Sequence, residues 1–204
     1  MAKKLSILIR LSLFHMRLNS KIPLSFETDR LLVRRYQLSD EDNLYKSARA
    51  SVSEVFEFLP WCHPDYSRGE VKEWLTKVEA RWREAEAYQF AIYDKSNLTF
   101  HGGCGLELVE ENPIANLGYW IKSSSIGKGI ATEASAGLAM FGIERLKIQR
   151  LELIISTKNN KSIRVAEKLG AKLEGTLRNR LRLHEKIHDA HVYSIVPEDI
   201  QEKT

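Results

Sequence analysis

Apolar residues recur every three or four positions along two stretches of the chain, which predicts helices over 67–88 and 129–145. In the first stretch the apolar positions are Val71, Leu75, Val78 and Trp82. In the second, one face carries Ala134, Leu138, Phe141 and Gly142. A further helix is predicted over 160–171, with Gly170 at its end, because glycine readily adopts the left-handed conformation that closes many helices.

Between these helices the pattern changes to that of strands. Seven segments have the composition and the flanking turn residues of strands, namely 29–37, 89–94, 99–109, 114–123, 150–156, 172–183 and 186–196. A short helix over 38–51 is predicted to begin at Ser39, whose hydroxyl would cap it. The aromatic segment 55–64 contains two prolines and is predicted to be a loop or a broken helix. This order of elements predicts one α/β (α+β mixed) domain around a mixed sheet.

The first 26 residues differ in charge from the rest of the chain. They carry five basic residues and no acidic one: Lys3, Lys4, Arg10, Arg17 and Lys21. The segment superficially resembles a transit peptide, but a disordered basic arm, or an upstream start with Met16 as the working one, explains it more simply. Its apolar run is interrupted and shorter than the roughly 20 residues of a membrane span. We therefore predict an arm at 1–26, a folded domain at 27–200, and no membrane association.

Composition and charge narrow the classes of function. A chain of 204 residues suits one domain, and its net charge of +4 favours an anionic ligand without the dense basic stripe of nucleic-acid binding. Cys62 and Cys104 are far apart and lack metal-ligand spacing, which predicts a reducing, cytoplasmic location and neither a disulfide scaffold nor a metal site.

The segment SIGKGIATEA, residues 125–134, places two glycines at the predicted start of a helix. Such a turn presents unpaired N–H groups at the positive end of the helix, so it predicts an anion site. A nucleotide P-loop is disfavoured because Lys128 is followed by glycine and not by the hydroxyl residue that holds a metal, and because the loop is too short. A dinucleotide site is disfavoured because Gly127 and Gly129 are not followed by the third small residue, and no acid ends the next strand.

The segment IGKGIATEA instead resembles the pyrophosphate loop of the GNAT superfamily of N-acyltransferases. Ile126 replaces the polar residue usual at the first motif position, as is common in the RimJ/RimL-like subgroup, which acetylates ribosomal-protein N-termini. Four more blocks resemble that subgroup: TDRLLVRRYQLSDEDNLY, FLPW, LGYWI and NNKSIRVAEKLGAKLEGTLR. With the closing HDAHVYSIV they cover roughly residues 27–196 in family order.

The resemblance implies a GNAT fold, with a mostly antiparallel central sheet splayed at the cofactor cleft and flanked by helices. It implies acetyl-CoA as the cofactor, with the pyrophosphate at the loop and the pantetheine arm paired with the backbone of the strand before the loop. The implied cofactor-binding residues are Trp120, Ile121, Ile126, Gly127, Lys128, Gly129, Ile130, Ala131, Thr132, Asn159 and Ser162. Lys128 is as often only solvated, Trp120 can equally be a core residue, and Asn159 and Ser162 can be ordinary helix caps.

The resemblance implies two catalytic residues. Ser162 is the candidate that protonates the leaving thiolate, because the tyrosine used by many GNAT members is replaced by Ala166. Glu107 is the candidate base, since the glutamate that relatives often carry at the place of Asn116 is absent; deprotonation through water is an alternative. His101 and His63 are further possible bases. Cys104 is expected to be a buried filler, because direct transfer needs no nucleophile.

Trp61 and His63 fall where this family builds its acceptor cleft, although the same segment can be a hydrophobic plug. The resemblance implies transfer of acetyl to a primary amine, preferably a protein N-terminus, in a direct ternary complex. Two alternatives remain: acetylation of a small amine such as a polyamine, amino acid or aminoglycoside, and a non-catalytic acyl-CoA-binding module. A homodimer is compatible with either, and no direct nucleic-acid partner is expected.

Overall fold

The computed structural model describes residues 22–109 and 112–201. Its strands are β1 (Ser25–Glu27), β2 (Leu31–Arg35), β3 (Ala87–Asp94), β4 (Phe100–Leu108), β5 (Ile114–Ile121), β6 (Arg150–Ser156), β7 (Lys172–Leu183) and β8 (Lys186–Ile195). Its helices are α1 (Glu41–Arg49), α2 (Val52–Val55), α3 (Arg68–Arg83), α4 (Ile130–Arg145), α5 (Asn160–Leu169) and α6 (Pro197–Gln201). Short 3-10 turns cover Leu38–Asp40 and Ser123–Ser125.

Within these residues the strands form one sheet in the order β1-β2-β3-β4-β5-β6-β8-β7. All neighbouring strands are antiparallel except β5 and β6, which run parallel and pair over three residues, 114–116 with 150–152. The mixed, mostly antiparallel sheet flanked by helices confirms the predicted fold class. The short parallel pair places a break near the middle of the sheet.

Most predicted elements occur close to their predicted bounds, and the errors lie at helix ends. Helix α3 ends at Arg83 and not at 88, because Ala85 has a left-handed φ of 56° and β3 begins at Ala87. Ser39 is not an N-cap, because it lies inside the 3-10 turn that precedes α1. Gly170 ends α5 with φ 73°, as predicted. Helices α2 and α6 were not predicted.

The N-terminal boundary of the fold lies earlier than residue 27. Ile22 is buried, and Ser25–Glu27 pairs with β2. The Phe26 ring lies 5.5 Å from the rings of Phe90 in β3 and Phe141 in α4. The fold therefore includes the last residues of the predicted arm, whose first 21 residues lie outside the described part of the chain.

Each face of the sheet carries its own core. On one face, α4 presents Ala134, Leu138 and Phe141 to the sheet, as the spacing of its apolar positions predicts. On the other, α1 and α3 pack Leu44, Val71, Leu75 and Val78 against aromatic residues of the sheet. A ligand that enters the break between β5 and β6 therefore meets a separate packed core on each face of the sheet.

A buried ion pair fixes the start of α1 to the sheet. The Asp40 carboxylate is 1% exposed and accepts two bonds from the Arg34 guanidinium, at 2.9 and 2.6 Å. It also accepts bonds from the Tyr93 hydroxyl at 2.6 Å and from the Gln37 N–H at 2.8 Å. Burial raises the pKa of Asp40, but these bonds outweigh burial and hold the pKa below its usual 3.8.

We predict that Asp40→Asn destabilises the protein by about 3 kcal/mol, because it leaves a partly buried guanidinium without its counter-charge. Since a lowered pKa stabilises the fold only while the carboxylate is ionised, the difference from wild type should be complete above about pH 4 and shrink at lower pH. Urea unfolding of both proteins between pH 3 and 7 measures it.

The matched control is Asp42→Asn. It removes an exposed carboxylate that pairs with Lys46 of the same helix and with Arg68 at the start of α3. Solvent screens this pair, so little change in stability is expected. Equal losses in the two variants would contradict a special role for the buried pair.

Candidate active site

A gap opens in the sheet where β5 and β6 separate. Their pairing ends at Asn116 and Glu152, after which β5 keeps its pairing with β4 and β6 keeps its pairing with β8. The Lys122 N–H is donated to the His101 carbonyl of β4 at 2.8 Å. Because successive residues of a strand present their N–H groups to opposite sides, the Ile121 N–H faces the gap. The gap therefore offers backbone hydrogen-bonding groups of β5 to a bound ligand.

The glycine turn lies directly after β5, at the start of α4. Gly127 and Gly129 both have left-handed φ angles, 80° and 78°, which residues with a Cβ adopt at a cost. The first bond of the helix ladder runs from the Glu133 N–H to the Gly129 carbonyl, at 3.0 Å. Three N–H groups therefore precede the ladder and have no partner within it: those of Ile130, Ala131 and Thr132. The turn and the helix start therefore have the geometry that an anion site requires.

Ile126 contributes less than predicted. Its N–H is donated to the Ser123 carbonyl at 3.2 Å, so it closes the preceding 3-10 turn and is not available to an anion. Its side chain is 37% exposed. Lys128 is also exposed, with its carbonyl turned toward Arg30. The run of available N–H groups therefore begins after Ile126.

A set of ionic and hydrogen bonds that the sequence did not reveal holds this turn from the side of β2; we call it the charged clamp. The Arg30 guanidinium donates to the Glu133 carboxylate at 2.6 Å and to the Lys128 carbonyl at 3.1 Å. The Thr28 hydroxyl also donates to Glu133, at 2.6 Å. Burial raises the pKa of Glu133, but the bonds from Thr28 and Arg30 outweigh it, so the carboxylate stays ionised. The clamp joins the entry to β2 with the start of α4.

His101 supports the same turn. It is buried in β4, and its Nδ1 lies 2.8 Å from the Ser125 hydroxyl. Burial lowers the pKa of His101, and the nearby cations Lys122 and Lys128 lower it further. A small cavity behind the glycine turn is lined by His101, Lys128 and Arg30. His101 is thus placed to hold the turn, and it lines this small cavity and not the larger one described below.

The far side of the gap carries Asn159 and Ser162 at the start of α5. The Asn159 side chain caps the helix by accepting the Ser162 N–H at 3.1 Å. Asn159 is therefore a helix cap, which was the alternative interpretation of this residue. The Ser162 hydroxyl takes no part in the cap. This leaves the hydroxyl of Ser162 available to a ligand.

Tyr119, which sequence reasoning passed over, meets Ser162 from the opposite side of the gap. Its hydroxyl is buried and has no hydrogen-bond partner at bonding distance among the described residues. Burial raises the pKa of Tyr119, and the nearby Ser162 side chain acts in the opposite direction. The two hydroxyl groups therefore lie close together but just short of a hydrogen bond. The LGYWI block pointed to this strand, but nothing in the sequence pairs residue 119 with residue 162.

A cavity of about 710 Å³ opens on the face of the sheet covered by α1 and α3. Aromatic residues form part of its walls, among them Tyr36, Trp61, Tyr66, Trp74 and Trp120. Carboxylates and cations line it together: Glu70, Glu73, Glu107, Lys77 and Arg81. Tyr119 and Ile154 contribute from the two sides of the gap, so the cavity and the gap are continuous. An apolar cleft with a few polar groups is the usual form of a small-ligand site.

The two residues predicted for acceptor binding are placed differently. Trp61 lines the cavity, with its ring 5.3 Å from that of Trp120. His63 is not among the cavity-lining residues that the structure describes; its Nε2 lies 2.8 Å from Glu70, the residue that closes the capping box of α3 with Ser67. His63 thus supports the rim, and Trp61 forms the wall.

Glu107 and Asn116 lie opposite each other on β4 and β5 and both line the cavity. The Glu107 carboxylate is about half exposed and lies 3.1 Å from the Arg81 guanidinium. Asn116 has a buried amide oxygen that accepts no hydrogen bond from any described residue. The predicted base is therefore present at the cavity but is paired with a cation.

Both cysteines are buried and free. Burial raises the pKa of the Cys62 thiol to about 11, and its sulfur donates to the Ala48 carbonyl at 3.3 Å. Burial also raises the pKa of Cys104, which is fully enclosed in β4. Neither thiol is activated as a nucleophile, which agrees with a structural role.

Membrane and metal features were sought over the same residues. Across 22–109 and 112–201, each helix is too short or too polar to cross a bilayer. Over those ranges, no group of three or more His, Cys, Asp and Glu side chains is arranged to hold a metal ion.

Comparison with known proteins agrees with this geometry. The spermidine N(1)-acetyltransferase of Escherichia coli (strain K12) is 31% identical over 146 residues, which cover 66% of this chain and 78% of that protein. A solved structure from Vibrio cholerae, provisionally described as a ribosomal-protein-serine acetyltransferase, has a TM-score of 0.75 at 26% identity. It covers 86% of this chain and 99% of that chain.

A second solved structure is RimL, described as a ribosomal L7/L12 alpha-N-protein acetyltransferase in complex with coenzyme A. It has a TM-score of 0.77 at 22% identity and covers 86% of this chain and 97% of that chain. The family model for the acetyltransferase (GNAT) domain matches residues 30–172, most of the chain. With the glycine turn, the parted strands and the continuous cavity in place, the chain belongs to the GNAT family of N-acetyltransferases.

Proposed function

We propose that this acetyltransferase moves the acetyl group of acetyl-CoA to the N-terminal α-amino group of an acceptor protein, as ribosomal-protein acetyltransferases do. The observation that carries the proposal is the gap between β5 and β6, which has an anion site at one end and the Tyr119–Ser162 pair beside it. The likeness to the Vibrio cholerae and RimL structures supports the class of acceptor.

The residues around the gap fit acetyl-CoA. The N–H groups of residues 127–132, with Lys128 nearby, would hold the pyrophosphate at the start of α4. The pantetheine arm, which carries amide groups, would pair with the exposed edge of β5 at Ile121, beside Trp120, whose own backbone groups face β4. Asn159 would contact the same arm from the far side of the gap, near Ser162.

The reaction follows from these positions. The amine nitrogen, entering through the cavity, attacks the thioester carbonyl carbon, and the Ile121 N–H faces the place where negative charge develops on the carbonyl oxygen. The carbon–sulfur bond would then break, and the thiolate would take a proton from the Ser162 hydroxyl, which regains one from solvent through the neighbouring Tyr119 hydroxyl. The nitrogen loses its proton through water to the Glu107 carboxylate. Binding both substrates at once makes the transfer direct.

A small amine is the second candidate acceptor, supported by the likeness to a spermidine N(1)-acetyltransferase and by the carboxylates in the cavity. These carboxylates, however, already have partners: Glu73 and Glu107 lie beside the cations Lys77 and Arg81, and Glu70 lies 2.8 Å from the His63 ring. A polycation would have to displace these partners. The geometry therefore favours an acceptor that carries a single amine.

We predict that Gly129→Glu weakens acetyl-CoA binding on the order of 100-fold. A carboxylate about 5 Å from a phosphate charge costs about 3 kcal/mol at an effective dielectric constant of about 20. Isothermal titration with acetyl-CoA measures the change in Kd.

Gly129→Gln is the matched control, because it imposes the same left-handed strain without the charge. Its new Cβ would lie 3.4 Å from Arg30, a contact that the mobile end of the guanidinium can relieve. Binding by the glutamine variant should fall much less. If the two variants weaken equally, the loss comes from the backbone, and the anion-site assignment is wrong.

We predict that Ser162→Ala lowers kcat at least about tenfold while the KM for acetyl-CoA changes little, because a proton donor acts on the leaving group and not on binding. The helix should stay intact, since its cap uses the Ser162 backbone N–H. Steady-state kinetics and thermal unfolding of the variant test both statements.

Tyr119→Phe should lower kcat in the same way, and the double variant should lose less than the product of the single losses, because the two hydroxyl groups serve one proton transfer. An unchanged kcat in Ser162→Ala would mean that its hydroxyl is not the proton donor.

The acceptor class is tested with a panel of N-terminal peptides beginning with serine or alanine, together with spermidine and free amino acids, by mass spectrometry of the products. Acetylation of the peptides alone supports the proposal. Acetylation of spermidine alone overturns it in favour of the small-amine reading. Acetyl-CoA binding without any product would show a non-catalytic acyl-CoA-binding module.

A further inference from the structure

We propose that Arg30, directly before β2, is a positioning residue for the cofactor: it orients the backbone of the glycine turn toward the pyrophosphate before acetyl-CoA binds. The proposal rests on the placement of the pyrophosphate at this turn, proposed above, and adds a residue that acts through the turn. It is carried by two contacts of one guanidinium, with a backbone carbonyl of the turn and with a carboxylate of α4.

The glycine turn does not determine its own conformation. Gly127 and Gly129 both have left-handed φ angles, 80° and 78°, and glycine reaches the left-handed and the right-handed regions with similar ease. The peptide planes of such a turn can therefore rotate at little cost. A ligand that requires one orientation then loses affinity, because ordering the backbone costs free energy. A contact from outside the turn can fix the orientation in advance.

The Arg30 guanidinium supplies such a contact. Its Nη1 donates to the Lys128 carbonyl at 3.1 Å. The peptide bond from Lys128 to Gly129 is trans, so the carbonyl of the first residue and the N–H of the second point in opposite directions. A carbonyl held toward Arg30 therefore turns the Gly129 N–H away from β2. In the strand order, β2 and the gap lie on opposite sides of β5, so this N–H is turned toward the gap.

The oriented N–H adds to those already available at the helix start. No backbone carbonyl of the described residues accepts the Gly129 N–H. It precedes the N–H groups of residues 130–132, which have no partner within the helix ladder. The contact with Arg30 thus lengthens the row of donors that meets the pyrophosphate.

The second contact balances a carboxylate close to the anion site. Glu133 lies in the first turn of α4, where its negative charge would repel a bound phosphate. The carboxylate accepts hydrogen bonds from the Arg30 Nε at 2.6 Å and from the Arg30 backbone N–H at 2.9 Å. The Thr28 hydroxyl donates to it at 2.6 Å. These donors hold Glu133 on the side of β2, and Arg30 supplies the counter-charge.

Both contacts depend on the shape of the guanidinium. Its Nε and Nη1 reach Glu133 and the Lys128 carbonyl at the same time. A lysine ammonium has the same charge but concentrates its donors at one point, so it cannot reproduce this fork. Orientation of the turn and balance of charge can therefore be separated by substitution.

Isothermal titration with acetyl-CoA measures the two parts in three variants. Arg30→Gln loses both, and its Kd should rise about 50-fold. Arg30→Lys keeps the charge beside Glu133 but loses the fork, so its Kd should rise about tenfold, the order of one hydrogen bond to a charged group. The double variant of Arg30→Gln and Glu133→Gln has the net charge of wild type, so it should also be about tenfold weaker and not 50-fold.

Arg68→Gln is the control for the loss of an arginine from the surface. The Arg68 side chain is 48% exposed, against 55% for Arg30, and it also pairs with carboxylates, those of Glu41 and Asp42. It lines neither of the two cavities described above, so the Kd for acetyl-CoA should stay at the wild-type value. A loss equal to that of Arg30→Gln would overturn the proposal.

Two further readouts distinguish positioning from a general loss of structure. Pantetheine has the arm of the cofactor but no phosphate, so its weak binding, followed by NMR titration, should be the same in wild type and Arg30→Gln. In steady-state kinetics, Arg30→Gln should raise the KM for acetyl-CoA and leave kcat within about twofold. Equal losses for pantetheine and acetyl-CoA, or a fall in kcat that matches the rise in KM, would overturn the proposal.

The outcomes also separate this inference from the cofactor site itself. Unchanged affinity in Arg30→Gln, together with the loss expected for Gly129→Glu, would reject only the role of Arg30. Unchanged affinity in both would reject the pyrophosphate site at the turn. Wild-type affinity in the double variant would mean that charge balance acts alone, which overturns the orienting role.

Discussion

The separation of two parallel strands after three residue pairs is the constraint on which the rest of the site depends. Strands β5 and β6 stop pairing at Asn116 and Glu152, yet each remains bonded to its other neighbour. The inner edges of both strands therefore lose ladder partners without losing their positions, and backbone groups inside a protein require partners. A ligand that carries amide groups, such as the proposed pantetheine arm, can supply them and would complete the sheet at the gap.

The two faces of the sheet contribute different parts of the site around this gap. The face covered by α4 and α5 provides the glycine turn and the Tyr119–Ser162 pair, while the face covered by α1 and α3 provides the aromatic cavity. Close packing at the cavity floor depends on the small residues of β4. A Cβ at Gly103 would lie 2.2 Å from the Tyr36 hydroxyl, so a larger residue there would displace the aromatic wall. Buried pairs such as Asp40 with Arg34 then keep α1 in register with the sheet.

Local patterns were sufficient to predict much of the fold and only part of the site. The four-residue spacing in α3 and the glycines of the turn depend on neighbours in sequence, so a single chain reveals them. The C-terminal end of α3 depends on one left-handed residue, Ala85, and the start of α1 depends on a 3-10 turn. The spacing of apolar residues encodes neither. The contacts that shape the chemistry join residues far apart, as Arg30 with Glu133 and Tyr119 with Ser162 do, and no pattern in one sequence connects such residues.

The burial of Cys62 and Cys104 has a practical consequence for work with the enzyme. Reagents that report free thiols react with thiolates, and both cysteines are enclosed and have raised pKa values, so neither presents a thiolate near neutral pH. Colour that develops in such an assay on the folded protein should come from released coenzyme A. Because both thiols lie in the packed core, the folded protein adds little signal of its own, and a slow rise in protein-derived signal would report unfolding.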